Sequence, residues 1–309
     1  MRSWRSNSLW EQLTRLWAET EHSSKKAAPF GAAFLLHQRV SFHFRIDKKG
    51  MNHMKNYTLE VCVDSVESAL AAARAGATRL ELCQNLVIGG TTPSLELFRQ
   101  IRSQTDIRIH VLIRPRFGDF LYTDNEYEIM KREIKAFAEA GAEGIVIGSL
   151  NADGSLNEEQ MKGMIESAKG CWITLHRAFD VCADPFTALE TAQRLGINCI
   201  LTSGQEADCL QGQELIRRLV EKSRENGIQI MAGAGVNRAV INEMLKKPGL
   251  TAFHMSGKRV LPSGMSYRNP RVHMGLPGIS EFEIWQTSEE AVAQAVQVLE
   301  AVAQRSPAV

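Results

Sequence analysis

The segments Leu59-Glu-Val-Cys62 and Leu80-Glu-Leu-Cys83 repeat one pattern, in which apolar residues alternate with a carboxylate or a thiol. Successive side chains of a β-strand point to opposite faces of the sheet. Glu60 and Cys62 therefore share one face of a first strand, and Glu81 and Cys83 share one face of a second. If these strands are neighbours in a parallel sheet, two thiols and two carboxylates meet on one surface, and we expect that surface to be a functional site.

The alternation of strand-like and helical segments continues from this repeat almost to the end of the chain. Strands are predicted at residues 59–64, 79–85, 107–115, 144–148, 172–180, 199–203, 228–233 and 252–257. Helices are predicted at residues 65–75, 94–103, 124–140, 158–169, 185–195, 210–224, 237–246 and 288–304. Eight such β/α units favour a closed TIM-type (β/α)8 barrel over an open doubly wound sheet, so we expect residues 54–309 to form one α/β domain.

The predicted lumen of this barrel is unusually polar. Alternation within the strands places seven titratable residues inside, namely Glu60, Glu81, His110, Arg114, His176, Asp180 and His254. Buried charges persist when they are paired or bound to a ligand, so the set is either an internal salt-bridge network or a site. Barrel enzymes work at the C-terminal ends of their strands. On the site interpretation, His176 or Asp180 is a candidate general acid or base, and Glu60 and Glu81 are further catalytic candidates.

A second predicted feature is a binding site for a small anion. The small residues Gly233-Ala-Gly235 lie at the end of the seventh predicted strand, and Ser256-Gly257 ends the eighth. Loops at these places often bind phosphate through backbone N–H groups. We expect Arg114 and Arg116 to complete the site.

Charge and composition limit the other function classes. The net charge of the 309-residue chain is +1, but residues 1–53 carry nine Lys/Arg against four Asp/Glu. The remaining residues are net acidic, which argues against a nucleic-acid surface on the main domain.

No apolar segment approaches the roughly 18 residues of a membrane span. The six cysteines are too few for a disulfide scaffold, so we predict reduced thiols in a cytoplasmic protein. Residues 1–53 show no clear relation to the rest of the chain, and we predict a disordered extension or a segment absent from the native product.

Several ordered motifs resemble the CutC family of copper homeostasis proteins. The resemblance covers the chain from about Tyr57 to the last predicted helix. The motifs are Leu59-Glu-Val-Cys-Val-Asp-Ser65, Glu81-Leu-Cys83, Gly89-Gly-Thr-Thr-Pro-Ser94, Ile113-Arg-Pro-Arg116, Gly118-Asp-Phe120, His176-Arg-Ala-Phe-Asp180, Leu201-Thr-Ser-Gly-Gln205, Met231-Ala-Gly-Ala-Gly235 and Ser263-Gly-Met-Ser-Tyr-Arg-Asn269.

The resemblance implies a TIM-type barrel, a cytoplasmic homo-oligomer and a role in copper handling, with Cu(I) bound by Cys62 and Cys83. Cu(I) prefers soft ligands at low coordination number, so two cysteines on adjacent strands are a reasonable pair. A lumen lined by His, Arg, Asp and Glu exceeds what a two-thiol copper site requires. Two hypotheses therefore remain open, a Cu(I)-binding protein and a barrel enzyme that acts on a small anionic or phosphorylated substrate.

Overall fold

The computed structural model describes residues 44–46, 52–224, 227–246, 249–272, 274–275 and 278–305. The chain divides into two compact units, Met1–Met54 and Lys55–Val309. In the first unit, the short strands Phe44–Ile46 and Asn52–Met54 pair antiparallel. Apart from these two strands, the predicted disordered extension at residues 1–53 lies outside the described residues.

Eight parallel strands of the second unit close into a barrel in sequence order, with the last strand paired to the first. The strands are β1 (Thr58–Val63), β2 (Arg79–Leu82), β3 (Arg108–Leu112), β4 (Gly144–Ile147), β5 (Trp172–Leu175), β6 (Cys199–Thr202), β7 (Gln229–Ala232) and β8 (Ala252–Met255). This closed barrel confirms the predicted fold class.

Helices follow the strands and cover the outside of the barrel. They are α1 (Val66–Arg74), α2 (Leu95–Arg102), α3 (Asp124–Glu139), α4 (Glu158–Ser167), α5 (Pro185–Arg194), α6 (Gln213–Ser223), α7 (Arg238–Met244) and α8 (Glu289–Arg305). Short polar side chains begin several of them. Ser65 and Ser94 accept hydrogen bonds from backbone N–H groups of α1 and α2, and Thr123 forms a capping box with Glu126 at the start of α3. Among the described residues, no helix is both long and apolar enough to cross a membrane.

The main hydrophobic core lies between the barrel and its helices. Outward residues of the strands, such as Val61, Ile109 and Phe253, are fully buried against helix residues such as Ile101 and Ile134. The lumen instead holds charged residues together with two small apolar clusters. One cluster contains Cys62, Cys83, Leu112 and Val146, and the other contains Cys199, Leu201, Met231 and Ala252.

An antiparallel hairpin, which the sequence patterns did not predict, follows the barrel strands. It consists of β9 (Lys258–Pro262) and β10 (Glu283–Thr287), and it precedes α8 directly. The β-branched and aromatic residues Ile284, Trp285 and Thr287 are the available sequence signal for β10. Lys258 Nζ lies 3.2 Å from the centre of the Trp285 ring, which ties the two strands together beyond their backbone pairing.

The fifth predicted strand was too long. Strand β5 ends at Leu175, and residues Arg177–Val181 form a 3-10 helix. The side chain of His176 caps that helix, because its Nδ1 accepts a hydrogen bond from the Ala178 N–H at 3.1 Å. Asp180 consequently lies on a helical turn and not on an inward strand position.

Candidate functional site

A cavity of about 380 Å³ lies at the C-terminal ends of the barrel strands. Side chains from several strands line it, together with residues of the hairpin. Those that matter for its chemistry are Cys62, Glu81, Arg114, Phe120, His176 and His254 from the barrel and Lys258 and Trp285 from the hairpin. The location agrees with the general position of functional sites in barrels of this type.

The register of β1 and β2 decides which groups meet in the cavity. Glu60 pairs with Arg79, and Cys62 pairs with Glu81, so Cys83 lies one inward position farther along the barrel axis. Cys62 and Cys83 still pack in one apolar cluster, but only Cys62 is among the residues that line the cavity. The thiol of Cys83 is fully buried and donates to the Val63 carbonyl oxygen at 3.4 Å.

Cys62, Glu81 and His254 form a compact group of potential metal ligands. Each offers one ligand atom, and these atoms lie within 4.8 Å of one another. The group that faces the cavity thus consists of one thiol, one carboxyl group and one imidazole, whereas the family resemblance implies a pair of cysteines. His254 was recognised in the sequence as a lumen residue but not as a potential ligand. Its nearness to Cys62 depends on the pairing of β8 with β1, which closes the barrel.

Glu60 lies beneath this group and joins two cationic residues. Its Oε2 lies 2.6 Å from Arg79 Nε, and its Oε1 lies 2.8 Å from His254 Nδ1. Burial opposes ionisation of Glu60, but Arg79 and then His254 outweigh it and hold the pKa of this carboxyl group well below its usual range. The internal salt-bridge network is thus present in the lumen, and it supports the cavity wall.

The two groups beside Cys62 have shifted proton affinities. Burial raises the pKa of Glu81 to about 7, although the nearby His254 acts in the opposite direction. Burial disfavours the charged form of His254, but Cys62 and Glu81 outweigh it and raise the pKa of the imidazole well above its ordinary value. Shifts of this kind, in a cleft with specific partners, are typical of functional sites.

Arg114 and His176 occupy another part of the cavity wall. Both side chains pack against Phe120, whose ring centre lies 5.1 Å from Arg114 Cζ and 4.8 Å from the centre of the His176 ring. Room for His176 comes from Gly148, because a Cβ atom there would lie 2.4 Å from His176 Cε1. Gly144 makes room in the same way for the ring of His110, at 2.5 Å.

Some residues predicted for the anion site lie elsewhere. Arg116 is paired with Glu126 at 2.5 Å and with Asp119 at 3.0 Å, and it is not among the residues that line the cavity. Gly233 also lies off the wall and packs closely on Leu201. Gly235 and Ser256 do line the cavity.

Asp180 is likewise held away from the cavity by its own partners. Its carboxylate accepts hydrogen bonds from the Thr202 hydroxyl at 2.5 Å and from the Ser203 N–H at 2.9 Å, and it pairs with Arg177 at 2.7 Å. These bonds give Asp180 a structural task that links the end of β5 to the end of β6.

Comparisons with known proteins agree with this architecture. A family model described as the CutC family matches residues 57–259. A CutC family protein of Bacteroides fragilis (strain YCH46) is 43% identical over 249 residues, which are 79% of this chain and 98% of that protein. The copper homeostasis protein cutC homolog of Homo sapiens is 43% identical over 219 residues, 71% of this chain and 80% of that protein.

A solved structure shows the same arrangement of strands and helices. The CutC structure from Streptococcus agalactiae superposes with a TM-score of 0.62 at 28% identity and covers 65% of this chain and 98% of its own. The region matched by the family model spans all eight barrel strands and includes Cys62, Glu81 and His254. The sequence match and the barrel together show that the chain belongs to the CutC family.

Proposed function

We propose that this protein acts in copper homeostasis by binding Cu(I) in the cavity, with Cys62 as the principal ligand. The observation that supports this proposal is the group of Cys62, Glu81 and His254, whose ligand atoms lie within 4.8 Å of one another. Cu(I) is a soft ion that prefers thiolate ligands and also accepts imidazole. The family membership, together with the name of the human relative, points to the same metal.

His254 is the proposed second ligand. Its Nδ1 is engaged by Glu60 at 2.8 Å, so Nε2 is the nitrogen that remains for a metal ion, which displaces the Nε2 proton when it binds. A carboxylate on the distal nitrogen fixes the tautomer and the orientation of a metal-binding histidine. Glu81 is a hard oxygen donor, which suits Cu(I) poorly. We therefore assign Glu81 a supporting role beside the ion.

The pair of Cys62 and Cys83, which the family resemblance implies, is the competing ligand set. Burial, and then the neighbouring Cys62, raise the pKa of the Cys83 thiol well above its ordinary value. A second thiolate at this position is therefore costly, since two negative sulfur atoms would share an apolar cluster. Cys62 with His254 is for this reason favoured over the cysteine pair.

Anaerobic Cu(I) titration of the reduced full-length chain against a competing chelator tests the assignment. We expect Cys62→Ser to abolish binding, His254→Asn to weaken it by about tenfold or more, and Cys83→Ser to change it little. Cys171→Ser is the matched control, because the Cys171 thiol donates to the Ala142 carbonyl oxygen at 3.3 Å and does not line the cavity. Unfolding curves of each variant verify that it is folded.

The outcomes separate the alternatives. If Cys62→Ser binds Cu(I) like the parent protein, the proposal is wrong. If Cys83→Ser loses as much affinity as Cys62→Ser while His254→Asn loses none, the cysteine pair is the site. Cys, His and Glu are also ligands of Zn²⁺, so a parallel Zn²⁺ titration is included, and a clear preference for Zn²⁺ contradicts the copper assignment. The cytoplasmic location and the homo-oligomer implied by the family resemblance stay predictions.

A further inference from the structure

The cavity is much larger than a metal ion needs. Its volume of about 380 Å³ lies in the range of small-molecule sites, whereas the potential metal ligands occupy only one part of its wall. A second part of the wall is formed by Arg114, His176 and Phe120. The polar atoms of this second part are not used by the proposed copper site.

Arg114 is a buried cation whose hydrogen-bond partners are backbone carbonyl oxygens. Its side chain donates to three backbone carbonyl oxygens, those of Gly89 at 3.3 Å, Gly90 at 3.0 Å and Gly118 at 2.8 Å. In the part of the chain that the structure describes, no carboxylate oxygen lies within 4.0 Å of it, whereas Arg79 and Arg116 each have such a partner. The carbonyl dipoles anchor the loops after β2 and β3 but do not neutralise the charge. Buried charges are normally paired or bound to a ligand.

The hydrogen-bonding capacity of Arg114 is also incomplete. A guanidinium group has five N–H donors in a planar arrangement, and three hydrogen bonds to the protein are present. The Nε atom is buried and has no partner among the described residues. Nε and one Nη group of an arginine together present two parallel donors to a carboxylate or phosphate. The free Nε–H of Arg114 is therefore available for such an acceptor.

His176 supplies a second unused donor. Its Nδ1 accepts the Ala178 N–H, so the proton of the neutral ring is on Nε2. Burial and the charge of Arg114 lower the pKa of His176 to about 3, which keeps the ring neutral near pH 7. Nε2 is buried and has no partner among the described residues. Phe120 packs on both side chains, and Arg114 is near enough for its charge to act on His176, so the two donors belong to the same part of the cavity wall.

We infer that Arg114 and His176 form a binding subsite for the carboxylate or phosphate group of a small organic anion that enters the cavity. The group accepts hydrogen bonds from Arg114 Nε and His176 Nε2 and neutralises the guanidinium. The subsite differs from the anion site expected from the sequence, because Arg116 and Gly233 are not part of it. It also does not depend on the copper assignment, since it shares no residue with Cys62, Glu81 and His254.

Calorimetric titration of the metal-free full-length chain with inorganic phosphate and with succinate tests the inference, at constant ionic strength and with chloride as the reference. We expect saturable binding of at least one anion with a Kd of about 10 mM or tighter. His176→Asn is the key variant, because an Asn side chain still caps the 3-10 helix while the Nε2 donor is lost. We expect about a tenfold or greater loss of affinity in His176→Asn and in Arg114→Gln, the range for a hydrogen bond to a charged group.

Arg116→Gln is the matched control, since Arg116 has the same charge and lies two residues from Arg114 but off the cavity wall. The anion affinity of Arg116→Gln should stay within about twofold of that of the parent protein. Binding of phosphate alone identifies a phosphate ligand, and binding of succinate alone identifies a carboxylate ligand. Absence of saturable binding by both anions overturns the inference. Equal affinity in the parent protein and His176→Asn overturns it as well, whether or not Arg114→Gln folds.

Discussion

His254 and Glu60 are joined across the seam that closes the barrel, with 2.8 Å between His254 Nδ1 and Glu60 Oε1. The other oxygen of the same carboxylate lies 2.6 Å from Arg79 Nε. Glu60 is fully buried, so its charge depends on these two partners. Glu60 of β1 thus neutralises the buried Arg79 in the lumen and orients the imidazole of His254 at the cavity wall.

Replacement of Glu60 should therefore destabilise the whole barrel. In Glu60→Gln the Arg79 guanidinium loses its carboxylate in a site where its side chain is 3% exposed, and we expect a loss of about 3–5 kcal/mol in the free energy of unfolding. Chemical denaturation of the parent protein and of Glu60→Gln measures this difference in the free energy of unfolding. Glu96→Gln removes an exposed pair with Arg99 and should cost less than about 1 kcal/mol. If Glu60→Gln loses as little unfolding free energy as Glu96→Gln, the buried Arg79 does not need the charge of the Glu60 carboxylate.

The order of the barrel elements could be predicted from the sequence because its signals are local. Alternation in β1 and the short polar caps of the helices, such as Ser65 and Ser94, depend on a few neighbouring residues. The same kind of local pattern was misleading at residues 176–180, where inward and outward positions continue to alternate after the strand has ended. There the side chain of His176 caps a helical turn, and sequence alternation alone does not distinguish that turn from a strand.

The composition of the site was less predictable, because it depends on how strands are displaced relative to one another. A parallel barrel shifts each strand along the axis, and this shear places Cys62 beside Glu81 and not beside Cys83. Arg114 and Arg116 look equivalent in the sequence. Arg116 differs because Asp119 and the capping-box residue Glu126 neutralise it outside the cavity.

The neutral state of His176 predicts a pH dependence of stability. The folded protein holds the pKa of His176 at about 3, against about 6.5 for an exposed imidazole, so between these values the unfolded chain binds the extra proton. Stability is therefore lost as the pH falls from 6.5 towards 3, by up to about 1.4 kcal/mol per pH unit from this residue. His176→Asn should lose stability less steeply in urea denaturation over that window. Burial also lowers the pKa of His110. Because both proteins contain His110, its contribution to the pH dependence cancels when their curves are compared. Parallel curves for the two proteins would contradict the prediction.

Gly148 should be intolerant of a methyl group. A Cβ atom there would lie 2.4 Å from His176 Cε1 and 2.9 Å from the Ala178 Cβ, so Gly148→Ala must displace the histidine or the strand. We expect a loss of about 1–3 kcal/mol in unfolding free energy, as is usual for overpacked cores. Gly264→Ala is the control, because nothing lies within 4 Å of its Cβ position, and it should change stability by less than about 0.5 kcal/mol. If the two variants are equally stable, the cavity wall beside His176 can shift to accept a Cβ atom at Gly148 without a loss of stability.

Cys62 and Cys83 should differ in reactivity towards iodoacetamide under native conditions. Cys62 is 6% exposed and lines the cavity, whereas Cys83 is 0% exposed and its thiol pKa is raised well above its ordinary value. Because the thiolate is the reacting species, we expect Cys62 to be alkylated well before Cys83, as followed by peptide mass spectrometry. In denaturant all six cysteines should react at similar rates.

The variant Cys62→Ser separates the two causes of this protection. Burial is the larger cause of the raised Cys83 pKa, and the charge of Cys62 is the second. If burial dominates, Cys83 should stay protected in folded Cys62→Ser, and its labelling should follow the unfolding of the chain. Rapid alkylation of Cys83 in that variant would mean that the neighbouring thiol had been its main protection. The same result would make Cys83 a candidate metal ligand again, because a thiol that ionises readily when Cys62 is replaced can bind Cu(I).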